Sequence, residues 1–369
     1  MMRRIGIIAR SLGLYHGGVY RYVFNILHEL DQKVEEGSVE ISIIHNETVL
    51  RGKFPHCREI YIPLAHTYRA RLLFDYVYSV HALKQADLDY IIYPKNIIPV
   101  SHYVLRAKKL PTILDLGHFE KGLHAYKFWD TLYARALIKP SCARAYKILT
   151  ISHSTKQAMI EKLHLPPEKI QVAHLGIEAR FQKTNNHEHV IEKFHLRRPF
   201  VFYNGSITPR KNLMRVLEAF QAVQHLIPHT LYMTGSLTWG SDHIHDYIEN
   251  HLAGRVVKLG YIEEHDLVAL YNLADLFLYP SLYEGFGLPI LEAQACGCPV
   301  LTSNTTSCPE VAGAGAHLVN PYSVEEIQAG ILKILQHDDY RQQLIERGFE
   351  NITRFHWQKT AEDILAACQ

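Results

Sequence analysis

Residues 275–303 read DLFLYPSLYEGFGLPILEAQACGCPVLTS. An apolar run, DLFLYPS, gives way to the glycine-rich YEGFGLP, then to a short apolar segment, then to CPVLTS. Strand, turn, helix and strand in that order describe one βαβ unit, and such units build parallel sheets covered by crossover helices. Gly285 and Gly287 let the backbone approach a ligand closely, Pro289 suits a first helical turn, and Gly297 with Pro299 stops the helix. A helix N-terminus presents unpaired N–H groups and the positive end of a dipole, so an anionic phosphate is its natural guest. Glu284 lies in the turn and Glu292 one turn beyond Leu288, which predicts two carboxylates facing one ligand from different heights.

The same alternation runs in both directions from this stretch. Upstream, FVFYNGS precedes a helix patterned on Leu213, Val216, Leu217, Phe220 and Val223, with further strands at TLYMTG and VVKLG. Downstream comes AHLVN. Ser323, followed three residues later by Glu326, predicts a capping box at the start of VEEIQAGILKIL. The first half repeats the plan with RIGIIAR, VEISIIHN, LDYIIYPK, LPTILDL and YKILTIS. At 369 residues the chain exceeds what one core usually serves. Two Rossmann-like domains are therefore expected, residues 1–180 and 198–354, facing each other across a cleft at the carboxyl ends of their strands. The boundary is expected near 180–198, and a last amphipathic helix, about 355–369, is expected to pack back on the first domain.

Composition narrows the classes. Hydrophobic residues at 47% and charged residues at 21% suit a folded globular chain. No run of about 18 apolar residues reads as a transmembrane helix, and the N-terminal MMRRIGIIARS reads as a first strand rather than a leader. Cysteines at 57, 142, 296, 298, 308 and 368 lack paired metal-ligand spacing, so packing and a reduced, cytoplasmic setting are expected. Residues 1–180 carry 25 Lys and Arg against 16 Asp and Glu, whereas residues 181–369 carry 14 against 21, leaving halves of +9 and −7. The positive half suggests an anionic partner, a phosphate-bearing acceptor or an acidic lipid surface, against uneven surface decoration. Its basic residues are too dispersed for nucleic acid.

Residues 280–313, PSLYEGFGLPILEAQACGCPVLTSNTTSCPEVAG, closely resemble the signature of glycosyltransferase family 4, retaining nucleotide-sugar transferases of GT-B fold. Their hallmark is two glutamates separated by seven residues. The resemblance implies that Glu292 binds the nucleotide ribose, that Glu284 lies near the transferred sugar, and that Phe286, Gly287 and Leu288 offer N–H groups to diphosphate or sugar. In YNGSITPRKNL, Gly205 and Lys211 match the family's G-R-x-x-x-x-K-like element. Ser206 replaces its arginine, which makes Arg210 the substitute candidate for the second positive charge. YHGGVYRYVFNIL resembles the N-terminal Gly-Gly loop, assigning Gly17 and Gly18 to the donor. LPTILDLGHFEKG falls where relatives carry a His-Asp pair; Gly117 and His118 stand there, leaving His118 either catalytic or ordinary. Main chain near Tyr261 and Ile262 would touch the nucleobase. The likeness spans most of the chain, strongest over 200–321 and looser before 147.

The implied function is a retaining, metal-independent hexosyltransferase with no cofactor. Its donor would be GDP-mannose or a UDP-hexose, and its acceptor a saccharide or lipid-linked saccharide in polysaccharide or glycoconjugate synthesis. Glu284, His118, Lys211 and Arg210 are the catalytic candidates. No Asp-x-Asp metal motif closes a strand. A cytoplasmic protein peripheral to the inner face of the membrane is expected. The alternatives are a nucleotide-sugar-binding protein without transfer and a GT-B sugar-nucleotide epimerase. Front-face substitution and double displacement through Glu284 both remain open at this level.

Overall fold

A computed structural model describes residues 2–10, 17–120, 122–123, 128–185, 187–235 and 242–369. The chain divides into two compact units, residues 1–119 with 126–176 and 356–369, and residues 120–125 with 177–355.

In the first unit the strands β1 (Arg3–Ala9), β2 (Val39–His45), β3 (Arg58–Tyr61), β4 (Tyr90–Tyr93), β5 (Lys108–Ile113), β6 (Ile148–Thr150) and β7 (Ile170–Val172) form one parallel sheet ordered 3-2-1-4-5-6-7. The helices are α1 (Gly18–Glu35), α2 (Tyr68–Leu73), α3 (Ser79–Gln85), α4 (Phe128–Arg144) and α5 (His153–Leu163), with a π-helical turn, Phe74–Tyr78, between α2 and α3. Ile5, Ile7, Ile91 and Ile92 are buried in adjacent strands, as a sheet covered on both faces requires.

The second unit begins with α6 (Glu188–Lys193). Its parallel strands are β8 (Phe200–Asn204), β9 (Thr230–Thr234), β10 (Val256–Gly260), β11 (Leu276–Tyr279), β12 (Val300–Ser303) and β13 (Ala316–Val319), ordered 10-9-8-11-12-13. Between and after them lie α7 (Leu213–Val223), α8 (Asp242–His251), α9 (Glu264–Leu273), α10 (Leu288–Ala295), α11 (Cys308–Ala312), α12 (Val324–Gln336) and α13 (Asp338–Ile352). Leu213, Val216, Leu217, Phe220 and Val223 of α7 are all buried in the unit's core. Burying each such side chain stabilises by about 1.5–3 kcal/mol before chain entropy is counted. The final helix, α14 (Trp357–Ala366), belongs to the first unit and packs on α1 and β7.

Two sequence expectations change. The units part at Gly176 and Ile177 instead of within 180–198. Polar composition there is expected of a linker or a domain edge, and specific contacts make this stretch the edge of the second unit. The Ile177 amide donates to Phe355 O (3.1 Å), Arg180 pairs with Glu264 (3.0 Å), and the Thr184 amide donates to Asn272 Oδ1 (2.9 Å). The capping box is half formed. Ser323 Oγ accepts from the Glu326 amide (3.1 Å), while the Glu326 carboxylate accepts from the Asn320 amide (2.8 Å).

Candidate active site

The carboxyl end of β11 feeds the glycine turn and then α10. Leu276–Tyr279 is buried throughout, as befits a strand flanked by β8 and β12. Gly287 adopts φ 112°, ψ 47° as the N-cap of α10, a left-handed conformation that a side chain would strain. Pro289, in the first turn, surrenders an N–H that has no intrahelical partner there. Ser307 Oγ lies 2.9 Å from Glu284 O and 2.7 Å from Phe286 O, and its bonding clamps the turn. Seven of the eight residues of α10 are buried, so the helix lies inside the unit, and Glu292 comes with it.

On the neighbouring element, Pro209–Lys211 form a 3₁₀ turn between β8 and α7. The next residue, Asn212, sits at φ 59° and donates to Pro280 O (2.9 Å) and Pro321 O (2.6 Å). The Leu282 amide donates to Arg210 O (2.8 Å). These bonds hold the basic pair against the glycine turn. Gly205 is approached by a second glycine: a Cβ on Gly235, at φ 131°, would stand 2.0 Å from Gly205 O.

Two buried polar clusters result. In the first, Glu284 accepts from Lys211 Nζ (2.6 Å) and from Arg210 Nη1 (2.7 Å), and Lys211 also donates to the Tyr279 hydroxyl. Arg210 Nη1 additionally donates to Tyr283 O (3.0 Å). Burial opposes ionisation of Glu284, but the charges of Arg210 and Lys211 outweigh it and hold its pKa at about 2. Burial pulls the Lys211 ammonium below the ordinary amine value, while Glu284 resists that pull. Two cationic side chains thus share one carboxylate, and it is Glu284 whose ionised form they favour.

In the second cluster, the Tyr271 hydroxyl donates to Glu292 Oε2 (3.2 Å) and accepts from Asn204 Nδ2 (3.0 Å), while Asn204 Oδ1 accepts from Thr234 Oγ1 (2.8 Å). Burial, with Glu292 adding to it, raises the Tyr271 phenol well above its ordinary value, so it stays a donor. Glu284 and Glu292 therefore rest on different supports.

The structure brings Gly205, Arg210, Lys211, Glu284, Phe286, Gly287, Leu288 and Glu292 into the second unit on adjoining elements. Ile262 is half-buried in the loop after β10, beside an exposed Tyr261. Gly17, Gly18 and His118 belong to the first unit. Gly17 is the N-cap of α1 at φ −76°, and a Cβ on Gly18 would meet nothing, so local backbone geometry demands glycine at neither. Residues 11–16, the rest of that loop, lie outside the described residues. His118 occupies a 3₁₀ turn after β5, with Nδ1 3.4 Å from Thr131 Oγ1. Burial lowers its pKa although Asp115 and Asp130 oppose this, so its ring is neutral at pH 7.

Sequence reasoning missed Tyr279, Tyr271, Asn204 and Ser307. The hydroxyl on an otherwise apolar strand at Tyr279 was a usable signal; Tyr271 and Asn204 read as ordinary members of a helix and a strand. All six cysteines are buried free thiols, and burial pushes those of Cys296 and Cys308 up to about 12. Asp87 and Asp89 form an Asp-x-Asp triplet with Leu88, but it precedes β4, and both carboxylates pair with Arg4.

Two parallel-sheet Rossmann-like domains are the building blocks of GT-B glycosyltransferases, and comparison with known proteins places the chain among them. A profile of the family described as "Glycosyl transferases group 1" matches residues 182–351. "O-antigen chain mannosyltransferase B" of Escherichia coli is 32% identical over 82% of this chain and 82% of its own length. "O-antigen chain mannosyltransferase RfbU" of Salmonella typhimurium is 24% identical over 89% of this chain and 90% of its own. In fold, the chain resembles Anabaena Alr3699/HepE in complex with UDP and glucose, with a TM-score of 0.77 at 17% identity over 99% of this chain and 98% of that one. The chain belongs to the group 1 glycosyl transferases.

Proposed function

We propose that this chain transfers a mannosyl group, with retention and without a metal, from GDP-mannose to a saccharide or lipid-linked saccharide of a growing polysaccharide. The sugar is supported by the mannosyltransferase names of its relatives. The observation that carries the reading is the convergence of Arg210 and Lys211 on Glu284 beside the glycine-capped start of α10.

A diphosphate entering here meets positive charge already assembled and already desolvated, which is where electrostatic stabilisation of a leaving group is most effective. Lys211 and Arg210 neutralise the departing diphosphate, together with the N–H groups at the start of α10. Glu292, oriented by Tyr271, accepts from ribose hydroxyls. Phe286, Gly287 and Leu288 lend main-chain N–H groups, and Ile262 meets the base; within the first unit, Gly17, Gly18 and His118 are the candidates. Glu284 is held by two cations and ionised down to about pH 2. A carboxylate so engaged is a weak nucleophile, which favours front-face substitution. The bond from C1 to the phosphate oxygen breaks, the acceptor oxygen bonds C1 from the same face, and the acceptor proton passes to the departing phosphate.

The test is a donor panel. GDP-mannose should raise the unfolding temperature and, with acceptor, yield an α-linked product, with EDTA leaving the rate unchanged. A UDP-hexose preferred over GDP-mannose would overturn the donor assignment, and inversion at C1 would overturn the mechanism.

A further inference from the structure

We propose that the first unit docks on an anionic bilayer through an apolar collar formed by α4 and the α2–π segment. The proposal deepens the reading above, since a lipid-linked acceptor would be met at that surface.

Helix α4 is apolar on two sides. Ala134, Ile138, Ser141 and Cys142 are buried beneath it. The opposite side, which in a surface helix should be polar, carries Phe128 and Trp129, 72% and 74% exposed, with Leu132 and Tyr133, each 50% exposed. Leu72, Leu73, Tyr76 and Val77 stand similarly exposed on α2 and the π turn. The two groups are one patch: Leu72, Tyr76 and Val100 line the same cleft, of about 910 Å³, as Trp129, Leu132 and Tyr133. Its deeper wall is polar, with the ion-paired Arg10 and Asp75. A contiguous patch of this kind marks an interaction surface, whereas scattered exposed apolar residues do not.

Charge identifies the occupant. Exposed Arg135, Lys139 and Arg144 lie on α4 against Asp130, and exposed Arg69 lies on α2. At about 100° per residue, Lys139 falls in the same angular sector as Phe128 and Leu132, about two turns further along the helix than Leu132. Aromatic rings flanked by long cations are what an interfacial helix uses: rings sit at the acyl boundary while ammonium and guanidinium groups reach lipid phosphates. A second copy of this chain fits less well, because a two-fold contact would set the same cations against each other.

The experiment is flotation of the full chain with vesicles of equal phosphatidylglycerol and phosphatidylcholine, and with phosphatidylcholine alone. The wild type should float with the first, much less with the second, and be partly released by about 0.5 M salt. The double variant Trp129→Ser/Leu132→Ser should partition about tenfold less. Lys139→Glu should lose about fivefold, at low salt only. Both should keep the wild-type unfolding temperature and transfer to a water-soluble acceptor. Wild-type protein that stays below the gradient, a double variant that floats like wild type, or substitutions that instead dissociate a dimer would each overturn the proposal. Flotation as expected with no sugar transfer from any donor would leave the docking intact and sink the enzymatic reading.

Discussion

Replacing Lys211 by Met removes one of the two cations that keep Glu284 ionised while roughly conserving volume. Glu284 sits at about 2 against an ordinary 4.5, which is worth roughly 3 kcal/mol in favour of the ionised form, net of the burial that opposes it. Arg210 remains, and Met is free of the burial cost that depresses the Lys211 ammonium, so about 1–2 kcal/mol should be lost at pH 7, less than for a buried charge stripped of all partners. The sign of the pH dependence follows from a depressed carboxylate. Its contribution is complete above the unfolded value near 4.5 and disappears as pH falls through the folded value near 2. The variant has forfeited much of that contribution already, so the gap between the two proteins should be widest at neutral pH and nearly closed by about pH 2. Urea unfolding at several pH values measures it. Donor turnover should fall by about 10²–10³ in kcat/KM, the usual loss for one aimed charge at a leaving group. A stability gap under about 0.5 kcal/mol at pH 7, or one independent of pH, would refute the electrostatic account.

Other outcomes follow from the same geometry. Tyr271→Phe leaves Asn204 and Glu292 each short of a buried partner. About 1–2 kcal/mol of stability should go, and calorimetry should show weaker GDP-mannose binding. Gly287→Ala forces a side chain into φ 112° and should cost about 1–2 kcal/mol, seen as a lower unfolding temperature together with lost transfer; unchanged values in both would count against the turn geometry. His118→Ala should slow transfer yet leave donor affinity unaltered, and transfer at the wild-type rate would make it an ordinary histidine. Ellman's reagent at pH 8 should find almost no reactive thiol in the native chain and all six once unfolded, because the thiols are buried and those of Cys296 and Cys308 sit near 12. Rapid native labelling would contradict that burial.

Much of the site was written in local sequence. Gly287, Pro289 and the Glu284–Glu292 spacing specify a turn and a helix whose chemistry depends on neighbours within a few residues. The stripe from Leu213 to Val223 specifies its own buried face in the same way. Polarity at 180–198 suits a linker and a domain edge alike, and local pattern does not separate the two. Arg180, Glu264, Thr184 and Asn272 make those polar groups structural through pairing across more than eighty residues, which no local pattern displays. Nor could spacing show that the two glutamates have separate supports.

The sequence by itself determined the alternation of strands and helices and the parallel sheets, because hydrophobic period, glycine conformation and helix capping act over one or two turns of chain; the chief candidate residues came from its resemblance to a known family. Only the tertiary structure decided that Arg210 and Lys211 share one carboxylate, that Tyr271 and Asn204 steady the other, and that α4 shows apolar side chains on its exposed face. Those are outcomes of which segments meet. A buried charge or an uncovered ring acquires its energy from the atoms around it, not from its position in the chain.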